Sequence, residues 1–192
     1  MSEDEIRLLV ARAREGDDVA FTALYDAFAP RILRFLRCRV DTPEAAEDLL
    51  QRVFLKMIEQ LPHYRDRGLP FAAWLFRVAR NAAIDAHRTT HPQLPLDVLA
   101  WRAADTGDPE QLAQASMDRA AVREAIGYLP QAQRDVIECR FFADLSPCET
   151  AAVLGRSEGS VRVMQHRAIA ALRQRLVPAP PLAAEGPKAA PR

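Results

Sequence analysis

Apolar residues recur along this chain at spacings of three and four, the period that gives a helix one core-facing stripe. Ile6 to Ala13 predicts a first helix and Val19 to Val40 a second, with Gly16-Asp17-Asp18 between them and Asp17 or Asp18 available as the cap. Leu24, Phe28, Ile32, Phe35 and Leu36 are the inward stripe of the second helix. Asp41-Thr42-Pro43-Glu44 opens a third helix, with proline early and a carboxylate in its first turn, and Leu61-Pro62 ends it. Its apolar arc is wide, taking in Leu49, Leu50, Val53, Phe54, Met57, Ile58 and Leu61. A fourth helix from about Pro70 to Arg88 buries Phe71, Leu75, Val78, Ala79, Ala82 and Ala86. Further helices are expected from about Leu112 to Gly127 and from Pro130 to Phe142, the latter with Val136, Ile137 and Phe141 inward. Almost no strand is expected.

Leu145 to Leu176 carries a helix-turn-helix pattern. Ser146-Pro147-Cys148-Glu149 places a hydroxyl cap, a proline at the first helical position and a carboxylate three residues after the cap, the reciprocal arrangement of a capping box. The helix runs through Ala151, Ala152, Val153 and Leu154 and stops at Gly155. Arg156-Ser157-Glu158 is a tight turn with Ser157 as the next cap. The second helix turns Val161, Met164, Ala168, Leu172 and Leu176 inward. Arg162, His166, Ala170 and Arg173 fall on the opposite side, flanked by Val163 and Arg167, and from Arg156 to Arg175 five arginines face the single Glu158. A small basic face of this kind suits a phosphate backbone.

The chain's formal charge is zero, so this local excess acts by where it sits. Periodicity fades between His91 and Gly107, where Pro92, Pro95, Asp105, Gly107, Asp108 and Pro109 interrupt it. The pattern predicts an all-α protein of two small helical domains joined by a flexible linker, the second a helix-turn-helix, winged-helix-like DNA-binding domain. The divisions expected are 1–90, a linker over 91–111, a second domain over 112–177, and a proline- and alanine-rich disordered tail over 178–192. Cys38, Cys139 and Cys148 form no CxxC and have no nearby histidine pair, which argues against a disulfide framework and a zinc site. No stretch approaches the roughly 18 apolar residues of a membrane span, and the acidic start lacks a leader's apolar run. A soluble cytoplasmic protein without membrane insertion, metal or cofactor is expected. No catalytic residue is expected either: phosphate loop, HExxH and nucleophile elbow are missing, His63 and His91 fall in loops, and His87 and His166 on exposed helix faces.

Two further faces bear on function. On the fourth helix, Trp74, Arg77, Asn81 and Arg88 share one arc away from the core stripe, and Tyr64, Arg65 and Arg67 in the preceding loop extend it. Rings stack on unpaired bases, amides read base edges and guanidiniums hold phosphates, so this mixture fits nucleic acid with exposed bases. On the third helix, Leu55 projects among Glu44, Asp48, Gln51 and Glu59, and five acids face Arg52 and Lys56 between Asp41 and Gln60. Such a surface repels DNA and suits a protein partner, with Leu55 as an apolar anchor.

Three stretches in order, Ala46 to Phe54, Phe71 to Asp85, and Leu129-Pro130 through Arg134 followed by the helix-turn-helix, resemble the extracytoplasmic-function subfamily of the sigma-70 family of bacterial RNA polymerase sigma factors. The resemblance covers about residues 6 to 176. It implies a protein that binds core RNA polymerase and directs promoter-specific initiation. Asp48, Gln51 and Leu55 would dock on the β′ clamp helices. Tyr64, Arg65, Arg67, Trp74, Arg77, Arg80, Asn81 and Arg88 would melt and read the −10 element, holding the non-template strand as single-stranded DNA. Arg156, Ser157, Ser160, Arg162, Val163, His166, Arg167 and Arg173 would read the −35 duplex while the second domain rests on the β flap. An anti-sigma factor is a further partner the family implies. The chain departs from the family at Met164-Gln165, where many members carry Arg-Leu, and at Leu69-Pro70, where small polar residues are frequent. A self-sufficient repressor is the competing reading. It lacks an evident dimer or effector interface and has no obvious use for the Trp74 and Asn81 arc.

Overall fold

The computed structural model describes residues 1–40, 42–65, 68–90, 121–122 and 124–176. The expected linker 91–111, the expected tail and the first half of the Leu112 to Gly127 helix lie outside them. The described elements are α1 (Glu3–Arg14), α2 (Asp18–Arg37), α3 (Pro43–Gln60), a 3₁₀ turn at Leu61–His63, α4 (Phe71–Thr90), α5 (Gln131–Ile137), a π-helical turn at Glu138–Phe142, α6 (Pro147–Leu154) and α7 (Glu158–Leu176), with residues 124–127 also helical. No strand occurs among the described residues.

The caps written into the sequence form. Asp17 accepts from the amides of Val19 and Ala20 at the start of α2, and Thr42 from Ala45 at the start of α3. Ser146 and Glu149 close the expected capping box on α6, at 3.1 and 2.6 Å. Gly155 ends α6 in the left-handed conformation, φ 64°, which turns the chain into α7 within three residues. Ser157 Oγ then accepts from the Ser160 amide at 3.2 Å.

Helices α1 to α4 pack around Leu24, Phe28, Ile32, Phe35, Val53, Met57, Leu75 and Phe76. The helix-turn-helix has its own small centre in Val136 of α5, Ala151 of α6 and Val161 of α7. The two units also share a core. Cys139, Ala143, Leu145 and Val153 pack into the cluster of the first, while Cys38 packs with Ile126, Leu129, Ile137 and Ala168 of the second.

Three expectations are corrected. Phe141 is 58 % exposed and not inward. The π turn spends one more residue per turn than an α-helix, so Phe141 rotates out and Phe142 takes the half-buried place beside the second cluster. His87 is buried and not on an exposed face: it continues the buried line Phe76, Ala79 and Ala83 into the last turn of α4. Ile58 is 50 % exposed, beyond the edge of the α3 stripe, and joins Leu55 at 60 % one turn away.

Candidate nucleic-acid interface

The expected −10 face is one stripe along α4, because positions 74, 77, 81 and 88 are separated by three, four and seven residues. Trp74 is half-buried, and its ring lies 5.1 Å from that of Tyr64 and 5.3 Å from that of Phe71. Tyr64 meets Phe71 edge-on at 5.5 Å. The 3₁₀ turn after α3 brings Tyr64 back onto α4, so three rings clamp one another and leave one part of the indole accessible. Arg65, Arg77, Asn81 and Arg88 are exposed; Arg67 lies outside the described residues. Arg80 is half-buried and stands apart from that stripe.

The helix-turn-helix places Arg156, Ser157, Arg162, Val163, His166, Arg167 and Arg173 in solvent on α7 and the turn before it, with Ser160 half-buried. Val161 and Ala168 are buried behind them, so this face can enter a groove without unpacking the domain. Arg162 is held at 2.5 Å by Glu158, one turn earlier. Leu129-Pro130 through Arg134 serves architecture: Arg134 is buried and donates to the carbonyls of Gly127 at 2.7 Å and Leu129 at 3.2 Å, tying down the entry to α5. Arg140 crosses from the π turn to Gln165 Oε1 on α7 at 3.1 Å. Asp48, Gln51 and Leu55 are exposed along α3, and Ile58 extends that face.

Sequence periodicity did not anticipate the contacts between the two units. Arg31 of α2 donates to the carbonyls of Ala143 at 3.0 Å and Asp144 at 2.7 Å, and Arg34 to Phe142 at 3.2 Å. Two guanidiniums of the first unit thereby satisfy carbonyls left open where the π turn ends in the second. Arg39 is 2 % exposed, lies over the Phe35 ring, and is ion-paired with Asp135 at 2.8 Å and with Glu138. Burial works against the charge of Arg39, but Glu138 and Asp135 outweigh it and hold the guanidinium protonated above its ordinary range. One cation faces two buried carboxylates, and burial pushes the Glu138 carboxyl up to about 7 against the pull of Arg39. Arg77 donates to the Ala152 carbonyl of α6 at 2.6 Å, and Arg80 lies 3.6 Å from Asp135. An arginine near the end of α2 whose register turns inward was the available signal for this interface, but it names no partner.

Among the described residues no group of histidine, cysteine and acidic side chains could hold a metal ion, and no helix is long and apolar enough to cross a membrane.

Sigma-70 region 2 matches residues 24–92 and Sigma-70, region 4 matches residues 125–174. The chain is 36 % identical over 185 residues to the ECF RNA polymerase sigma factor SigD of Mycobacterium tuberculosis, covering 93 % of this chain and 87 % of that one. It is 37 % identical over 186 residues to the ECF RNA polymerase sigma factor ShbA of Streptomyces griseus, covering 90 % and 97 %. Among solved structures, CnrH in complex with the cytosolic domain of CnrY superposes with a TM-score of 0.67 at 28 % identity, covering 88 % of this chain and 94 % of that one. The sigma factor RpoE in complex with the anti-sigma factor NepR from Bartonella quintana shares the fold, with a TM-score of 0.64 at 23 % identity over 81 % and 96 %.

Proposed function

The chain belongs to the ECF group of RNA polymerase sigma factors, and we propose that it binds core polymerase and directs initiation at promoters whose −35 duplex and −10 element it reads with separate faces. The first domain, 1–90, would bind polymerase through Asp48, Gln51 and Leu55, with Ile58 added by its exposure. The same domain would open the −10 element with the arc around Trp74 and Asn81. The second domain, 112–177, would read the −35 duplex with α7 and its preceding turn. Nucleotide chemistry would belong to the polymerase, and the work would be done in the cytoplasm. An anti-sigma factor is the natural second partner, as it is for the RpoE of B. quintana.

The observation that carries this reading is the pairing of two unlike nucleic-acid faces in one chain. One is an exposed basic helix-turn-helix suited to duplex, and the other an aromatic and amide arc suited to unpaired bases. A repressor needs only the first.

Run-off transcription with purified core enzyme and a genomic promoter library is the direct test. The chain should start discrete transcripts with core and should not retain duplex alone at moderate salt. Binding duplex without core, and starting nothing with it, would return the repressor. Within an active complex, Arg167→Ala should weaken −35 binding by about 1–3 kcal/mol if it loses a base contact. Unchanged affinity across −35 variants would remove Arg167 from the reading face.

A further inference from the structure

Arg140 leaves the π turn and reaches two places in the helix-turn-helix. Its Nε donates to Gln165 Oε1 on α7 at 3.1 Å, and its Nη1 donates to the carbonyl of Leu145, the buried residue just before the Ser146 cap of α6. Held at both ends, the guanidinium cannot swing, and it fixes the side chain it touches. A guanidinium has donors and no acceptor, so the Gln165 atom that meets it is the oxygen, and the amide nitrogen faces away from Arg140. Among the described residues Gln165 Nε2 has no hydrogen-bond partner, and it is not sealed from water. Gln165 itself is half-buried at the rim of the exposed α7 face, about 100° round from His166 and one turn after Arg162.

We propose that Gln165 reads guanine in the −35 duplex through its free N–H2 group, and that Arg140 is the positioning residue that makes it a donor. That role depends on α7 entering the −35 major groove, as proposed above. A glutamine with both ends free pairs with adenine, its oxygen accepting from N6 and its nitrogen donating to N7. Here the oxygen is turned onto Arg140, and the groove is offered two N–H donors. Guanine answers with two acceptors, O6 and N7. Cytosine presents only the N4 donor, and adenine sets its N6 donor beside N7 where no acceptor meets it. The arginines on the same face can hold phosphates, which any sequence supplies, whereas an amide fixed in one orientation distinguishes bases. Arg162, on the same rim, is drawn back toward the start of α7 by Glu158 at 2.5 Å, which leaves the place beside Gln165 to a neutral donor.

The test takes the full-length chain with core polymerase and a promoter recovered by run-off transcription, its −35 region randomised and its −10 element fixed. Templates retained in heparin-resistant complexes are sequenced. The parent chain should enrich guanine over adenine and cytosine at one −35 position by about fivefold or more. Gln165→Glu keeps an oxygen on Arg140 and puts a second oxygen where the N–H2 stood, so that position should turn to cytosine, whose N4 donates, while the others hold. Gln165→Leu should flatten the same position alone. Arg140→Met frees the amide to rotate and should raise adenine to at least the level of guanine. Arg140→Lys still offers a donor and should restore guanine. Arg140 also anchors Leu145, so where thermal unfolding shows Arg140→Met to be misfolded, the two Gln165 variants decide. A uniform loss across all sequences in Gln165→Glu puts the amide on a phosphate and overturns base reading. An unchanged profile in both Gln165 variants reduces the pair to a strut between α7 and the π turn. Guanine retained by a folded Arg140→Met overturns the positioning role. A parent chain that enriches no −35 base overturns the −35 reading of α7 itself, whereas the other results leave that reading standing.

Discussion

Asp48→Arg is expected to abolish association with core RNA polymerase, by a hundredfold or more in affinity, while leaving the chain folded. Asp48 is exposed on α3, one turn from Gln51 and two from Leu55, and is not part of the core. The surface around it is acidic, so a polymerase surface that receives it must be basic at that point. Reversing the charge replaces attraction with like-charge contact, which costs several kcal/mol where water is excluded, and each 1.4 kcal/mol is about a factor of ten. Leu55→Ala should lose less, since it removes a half-exposed apolar contact without adding repulsion. Fluorescence anisotropy of labelled chain titrated with core enzyme reads both, and thermal unfolding checks that neither change affects the fold. Retention of tight binding by Asp48→Arg would move the polymerase contact away from this face of α3. A loss confined to Leu55→Ala would make the contact apolar alone.

Much of the architecture follows from period and punctuation. The stripe Leu24, Phe28, Ile32, Phe35 and Leu36 is buried throughout, and Asp17, Thr42, Ser146 and Ser157 cap the helices they precede. These are local facts, decided within four residues of chain. The misses share a different cause. Phe141 is displaced because one turn opened to π, and a single extra residue per turn leaves no mark on an apolar count. His87 is buried in line with Phe76, Ala79 and Ala83, a row one residue off the stripe that apolar spacing marks as inward on α4. Arg39 is the sharpest case. It follows Arg34 and Arg37 at the end of the α2 pattern, its register turns inward, and nothing local names the distant Asp135 and Glu138 that pair with it there. Of the expected site residues, those on exposed faces of α3, α4 and α7 lie where the period puts them. What the period could not supply was the contact between the two units, which is made by residues far apart in the chain.

Trp74→Ala together with Asn81→Ala is expected to reduce promoter opening by about a hundredfold while core binding changes by less than about twofold, since stacking contributes roughly 1–3 kcal/mol per base. The two residues fail differently. Asn81 is exposed and its truncation leaves the packing of α4 intact, so Asn81→Ala isolates the loss of base-edge hydrogen bonds. Trp74 is braced by Tyr64 and Phe71, so its removal also loosens the turn that carries Tyr64 and lowers stability somewhat. Permanganate reactivity of unpaired thymines in the −10 region measures opening directly, and anisotropy with core measures docking separately. A template carrying a pre-formed bubble adds the decisive comparison. If the arc acts by capturing bases after they unstack, the variants should remain impaired on the bubble, because the captured base still lacks its ring and amide. If it acts only by driving strand separation, the bubble should restore them. We expect impairment to persist, because the ring cluster and Asn81 offer a place to hold a base, and nothing in their geometry wedges between paired ones. Full rescue by the bubble would leave the arc a role in melting alone, and loss of core binding in these variants would assign it to the polymerase interface instead.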